Sequence, residues 1–194
     1  MTLGKKRWIV AALLLAFATA AYALNPFADA RATVRLVTGD PATRTCSAVV
    51  IAPEVALTAK HCEVIAGMLV DGKPAKIVKS HAVEDVTLLS VPGLACPCAE
   101  VSTVRPMLDE TMLFIGWLYG DFKMTARGEY LGTTKDEGAS YGVGVAPAGP
   151  GISGGGVFRV FVTGEVQLVG IISAKSVDGG AVRYVEVSKD TFHW

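Results

Sequence analysis

Net charge is what this chain lacks. Lysine plus arginine and aspartate plus glutamate both number 18, so the formal charge is zero, and no basic face of the kind that holds nucleic acid is implied. Helical periodicity is scarce beyond the N-terminal segment, which argues against a helical domain. There is no low-complexity tail and no repeat from which to argue an array. Cysteines number four and histidines three, so any site built on them draws on few candidates. Half of the residues are apolar, enough for a sizeable core in a chain of one ordinary domain or two small half-domains.

Charge is missing altogether between Arg7 and Asp29. Lys5, Lys6 and Arg7 form a basic n-region, Trp8 to Ala20 an apolar h-region, and Ala21-Tyr22-Ala23 a small-x-small cleavage site. The pattern predicts a secretory signal peptide over residues 1–23, cut after Ala23. The alternative is an uncleaved membrane anchor over residues 8–24, since that stretch is just long enough to span. Either way the product is exported, to the periplasm or the medium, and its domain occupies residues 24–194. Cysteines in an exported protein suggest disulfides. Zinc is the alternative for four cysteines with His61 nearby, and the close Cys96-Pro97-Cys98 spacing argues against it.

After the signal, short runs rich in Val, Ile, Leu and Thr alternate with Gly, Pro and Asp. Strands are expected at Thr33–Val37, Cys46–Ile51, Val55–Thr58, Gly67–Val70, Ala75–Ser80 and Val86–Val91. A second set is expected at Thr111–Trp117, Lys123–Leu131, Ala139–Val145, Gly156–Val162, Gln167–Ser173 and Val182–Val187. Two groups of six, joined by the proline-bearing bridge Pro92–Asp109, predict an all-β fold of two antiparallel six-stranded barrels, about 30–92 and 110–190.

Ser153 lies in the run Gly149-Pro150-Gly151-Ile152-Ser153-Gly154-Gly155-Gly156. A serine hydroxyl is a poor nucleophile until a base takes its proton and backbone N–H groups receive the oxyanion. Glycines let the backbone close around the serine and present such groups. His61, in Thr58-Ala59-Lys60-His61-Cys62, is the candidate base, and Asp85, before Val86-Thr87-Leu88-Leu89, the carboxylate that orients it. Glu84 is the rival acid and His81 the rival base, read as a loop residue. The nucleophile-elbow fold needs the order Ser, acid, His. Here the only histidine after Ser153 is His193, beside the C-terminus. The order His, Asp, Ser matches the two-barrel scheme instead.

These motifs, taken in order, resemble the chymotrypsin-like (trypsin-like) serine peptidases over nearly the whole mature chain. Leu57-Thr58-Ala59-Lys60-His61-Cys62 resembles the histidine motif, with Lys60 where a small residue is usual. Gly116-Trp117, the loop around Ser153 and Gly170-Ile171-Ile172-Ser173 resemble further family segments. The resemblance implies that Ser153 attacks a peptide carbonyl, that His61 shuttles the proton, and that Asp85 fixes the imidazole. It implies an oxyanion hole from the N–H groups of Gly151 and Ser153, a disulfide between Cys46 and Cys62, and Ser173 near Asp85, helping to place the substrate backbone. No cofactor or metal is required. Substrates would be proteins or peptides. The alternative is an inactive relative that binds peptides or proteins through the same cleft.

Departures from the family pattern carry their own expectations. Ile152 stands where the digestive enzymes have an aspartate that pairs with a freed N-terminal amine, so no zymogen switch of that kind is expected. Pro147 stands where trypsin-like members carry an acid, which argues against a pocket for Lys or Arg. Ala148 and Gly149 favour a small apolar residue there, while Lys175 at the expected pocket wall would obstruct it or favour an acidic one. The states of Cys96 and Cys98 are left open.

Overall fold

The computed structural model describes residues 26–39, 44–136, 138–177 and 180–188, the last four of the third segment and Pro26 by backbone only. The expected signal segment 1–23, the 178–179 turn, His193 and Trp194 lie outside the described residues, as does the side chain of Lys175. The described residues open with a helix, α1 (Pro26–Thr33), that sequence periodicity did not announce. Its sequence carries no apolar stripe at helical spacing. What favours it is a proline at the first position, Asp29 in the first turn and Arg31 in the last, which suit the helix dipole. It docks by Ala30 and Phe27.

Seven strands follow: β1 (Val34–Thr38), β2 (Thr45–Ala52), β3 (Val55–Thr58), β4 (Leu69–Val70), β5 (Lys73–Pro74), β6 (Lys76–Ser80) and β7 (Thr87–Ser90). They form one curled antiparallel sheet in the order β5-β4-β1-β2-β3-β7-β6. The expected six strands become seven because Asp71-Gly72 makes a tight hairpin turn, both residues at positive φ, and so splits off β5. The two end strands of this sheet are not paired with each other.

The second half comprises β8 (Thr111–Leu118), β9 (Phe122–Asp136), β10 (Ala139–Val145), β11 (Gly156–Val160), β12 (Val166–Val177) and β13 (Ala181–Glu186). These six close into a barrel in the order β10-β13-β12-β11-β8-β9. β9 and β12 run past the expected ends because backbone pairing continues where the sequence turns polar or small, as at Thr133, Thr134 and Lys135. The linker between the sheets carries a second disulfide, Cys96–Cys98.

Alternation explains the core. On β8, Met112 and Phe114 point into the second barrel, while Leu113 and Ile115 face the other way. On β2, Ala48 and Val50 fill the first sheet and Val49 turns outward. The outward set, with Leu57, Phe158, Leu168 and Ile171, forms a third apolar layer where the halves meet. Strands buried on both faces read as continuous apolar runs. Two halves sealed along this layer leave a cleft at its edge.

Candidate active site

Segments far apart in sequence assemble the site. The chain leaves β3 and turns into a short 3-10 helix, Lys60–Val64, that carries His61. The Cys46–Cys62 disulfide, with Cα atoms 6.3 Å apart, ties that turn to β2. Asp85 stands in the loop between β6 and β7, Ser153 in the loop between β10 and β11, and Ser173 within β12. The first sheet thus supplies His61 and Asp85, and the second barrel Ser153 and Ser173.

Asp85 is the hub. Its Oδ2 lies 2.7 Å from His61 Nδ1, and its Oδ1 accepts the His61 backbone N–H at 2.8 Å. Ser173 Oγ donates to the same Oδ2 at 2.5 Å. An ionised carboxylate only accepts, so Nδ1 carries the proton and Nε2 keeps its lone pair. Burial pushes the Asp85 carboxyl up, but the hydrogen bonds from His61 and Ser173, with the electrostatic attraction of His61 and its backbone N–H, outweigh it and hold its pKa below the ordinary value. The Asp85 side chain is only 16% exposed and the His61 side chain 49%, so one end of the imidazole is fixed and the other open.

The serine loop is fixed by its backbone. Gly151 and Gly154 have φ of +94° and +82°, in the left-handed region. A side chain at Gly151 would also press on Trp117 O at 2.7 Å. Gly155 N–H donates to Ile152 O at 2.9 Å, Gly154 N–H to Ile172 O at 2.7 Å, and Tyr119 N–H to Pro150 O at 2.7 Å. Because the peptide is planar and trans, holding the Pro150 carbonyl points the Gly151 N–H the opposite way. Among the described residues, neither the Gly151 nor the Ser153 N–H has a protein acceptor. Ile152 is fully buried in the apolar core of the second barrel.

His61, Ser153, Gly151, Pro150, Tyr119 and Val64 line one open cleft of about 480 Å³. The Ser153 hydroxyl and the His61 ring share it without a direct hydrogen bond; such bonds tighten when substrate is bound. A slightly larger polar cavity of about 530 Å³ lies elsewhere, lined by Glu84, Arg105 and Lys135 among others. It holds neither His61 nor Ser153; the smaller cleft gathers both. Glu84 faces that other cavity and makes no bond to His61. His81 Nδ1 accepts the Glu84 N–H at 2.9 Å, the behaviour of a loop residue.

Other expected residues fall less closely together. Pro147 is exposed just beyond β10, and Lys175 lies on β12, two residues past Ser173. Cys46, Cys62 and His61 approach within 4.8 Å of one another, the kind of cluster that can hold a metal. Both sulfurs, however, are spent in the disulfide and offer no thiolate. Sequence reasoning missed what holds the loops. Ser47 and the Tyr119 N–H grip the serine loop, and Lys60 grips the Asp85 loop through the carbonyls of His81 (2.8 Å) and Ala82 (3.3 Å). The odd lysine beside His61 was the signal for the last of these.

No protein-family model matches the chain, and no curated protein matches it by sequence. Solved structures do. The Rv3671c protease from M. tuberculosis, in its active form, superposes with a TM-score of 0.71 at 16% identity, over 84% of this chain and 80% of that one. The HtrA-type protease AlgW with a tripeptide gives 0.68 at 23% identity, over 83% of this chain and 60% of that one. A serine endoprotease from Yersinia pestis gives 0.69 at 18% identity, over 83% and 61%. The chain therefore spans less than two thirds of those last two. At such identities the likeness carries the fold: an all-β, chymotrypsin-like pair of sheets.

Proposed function

We propose that this chain is an exported serine endopeptidase of the chymotrypsin-like family, cleaving peptide bonds through an acyl-enzyme. The observation that carries the reading is the 2.7 Å Asp85–His61 contact opening onto the same cleft as Ser153 and two backbone N–H groups that have no acceptor among the described residues. His61 Nε2 takes the Ser153 proton as Oγ bonds to the scissile carbonyl carbon. The carbonyl oxygen becomes an oxyanion received by the N–H groups of Gly151 and Ser153. Collapse breaks the C–N bond, and His61 returns the proton to the leaving amine. Water, activated by His61, then frees the acid and restores Ser153. Asp85 stays ionised throughout and stabilises the imidazolium. No cofactor takes part. Substrate backbone runs beside Ser173 and Lys175, with the side chain before the cleaved bond near Pro147. Export follows from the signal-like residues 1–23, and the substrates are proteins or peptides met outside the cytoplasm. The structural neighbours named above, all proteases, support the same reaction class.

The test is labelling of the mature protein by a fluorophosphonate, beside Ser153→Ala and His61→Ala, with hydrolysis of a quenched peptide library measured in parallel. Labelling and turnover by the wild type alone are expected, with losses of roughly 10⁴-fold or more in the variants, as for a triad that acts as a unit. A folded wild type that binds peptides but neither labels nor cleaves would overturn the reading in favour of a binding module.

A further inference from the structure

Ser47 follows Cys46 on β2, in the first sheet, and is fully buried. Its Oγ donates to the carbonyl of Gly151 at 2.9 Å and accepts the Trp117 N–H at 2.8 Å. The direction of that relay is unambiguous. An N–H can only donate and a carbonyl can only accept, so the single hydroxyl hydrogen goes to Gly151. The Ser47 N–H donates to the carbonyl of Ser153 at 2.6 Å, and Thr58 Oγ1 donates to the Ser47 carbonyl at 2.7 Å. One residue of the first sheet therefore holds the carbonyls at both ends of Gly151-Ile152-Ser153, a loop belonging to the other barrel.

That grip addresses a specific weakness. Gly151 has no side chain to resist rotation and sits at φ +94°, so the peptides on either side of it turn at little steric cost. The Gly151 N–H must nevertheless stay aimed at the oxyanion. Nothing charged can pin the loop from beneath, because Ile152 is apolar and buried there. Removing the Ser47 hydroxyl would leave the buried Trp117 N–H and Gly151 carbonyl without partners. Each such loss leaves a buried polar group desolvated and unpaired, a penalty that peptide rotation can relieve.

We infer that Ser47 is a positioning residue for the oxyanion hole: its hydroxyl ties the Gly151 carbonyl to β8 and so sets the hole without a freed N-terminal amine. This rests on the peptidase reading above. Ser47 itself touches no reacting atom.

The test compares Ser47→Ala and Ser47→Thr with wild type, all as mature full chain, on one fluorogenic peptide, across pH, and with a peptide aldehyde. The aldehyde forms a hemiacetal on Ser153 that needs the hole. Ser47→Ala is expected to lose roughly ten- to a hundredfold in kcat, less than the 10²–10³ typical of deleting a donor outright. KM and the midpoint of the pH–rate profile should hold, since the hydroxyl does not touch His61. Aldehyde affinity should fall in step with kcat, and Ser47→Thr, which keeps a hydroxyl, should restore most of both. If Ser47→Ala does not fold, Ser47→Cys, of similar volume and a weak donor, reads the same quantities. An active wild type with a hydroxyl-free variant matching it within twofold overturns the role of Ser47. So does a kcat loss accompanied by a shifted pH midpoint. A wild type that neither labels nor cleaves overturns the peptidase reading instead.

Discussion

At the scale of single residues, Asp85 shows how burial and hydrogen bonding compete. Burial alone would raise its pKa, yet donors on His61 and Ser173 win and lower it from 3.8. A carboxylate with a depressed folded pKa stabilises the protein above its unfolded value and loses that contribution as pH falls through the folded value. Wild type should therefore hold its margin over Asp85→Asn down to about pH 4, and the margin should shrink below that, where the unfolded carboxylate takes up its proton before the folded one does. Urea titrations of both proteins at several pH values check this; a margin that widens on acidification would contradict it. Asp85, His61 and Ser153 were legible in sequence because each sits in a local motif with its own spacing. Ser47 was not, because its importance lies in a loop 104 residues away.

At the scale of elements, the working parts are loops held by neighbours rather than by their own chemistry. The β6–β7 loop has Asp85 near its end, and the Lys60 ammonium clasps its start at His81 and Ala82. Lys60 is bonded through the chain to His61, so one residue ties the His61 and Asp85 segments together. Lys60→Met should lower kcat by roughly tenfold with little change in KM, because small displacements of oriented groups cost rate rather than binding. Lys60→Arg, which keeps a cationic donor, should recover much of it; equal kcat in all three proteins would show the clasp to be irrelevant. The β8–β9 turn is a comparable device. Tyr119 and Gly120 both have positive φ, as tight hairpins require, and that turn aims the Tyr119 N–H at Pro150. The strands themselves were readable from alternation and turn residues. Helix α1 and the far ends of β9 and β12 were not, since docking and backbone pairing, which leave no apolar period, define them.

At the scale of the whole molecule, two halves must stay in register for His61 to meet Ser153. The linker contributes through Arg159 of β11, whose side chain is 5% exposed and paired with Glu110. The same guanidinium donates to the Arg105 carbonyl at 2.9 Å, pinning the linker to the barrel. Removing one partner of a buried pair strands the other, so Arg159→Met should cost about 3–5 kcal/mol. The urea midpoint should drop accordingly, and pairing the change with Glu110→Leu should recover part of the loss. A drop under 1 kcal/mol would mean the pair is solvated more than its burial implies. The sequence by itself determined the strand pattern, the order of His61, Asp85 and Ser153, and the apolar Ile152 that excludes a buried ion pair. Those are properties of short segments, written in periodicity and neighbouring residues. Tertiary structure alone decided which acid reaches His61, which cleft gathers His61 and Ser153, and which groups hold the Gly151 carbonyl. Each depends on distances between segments that only packing of the two sheets brings together.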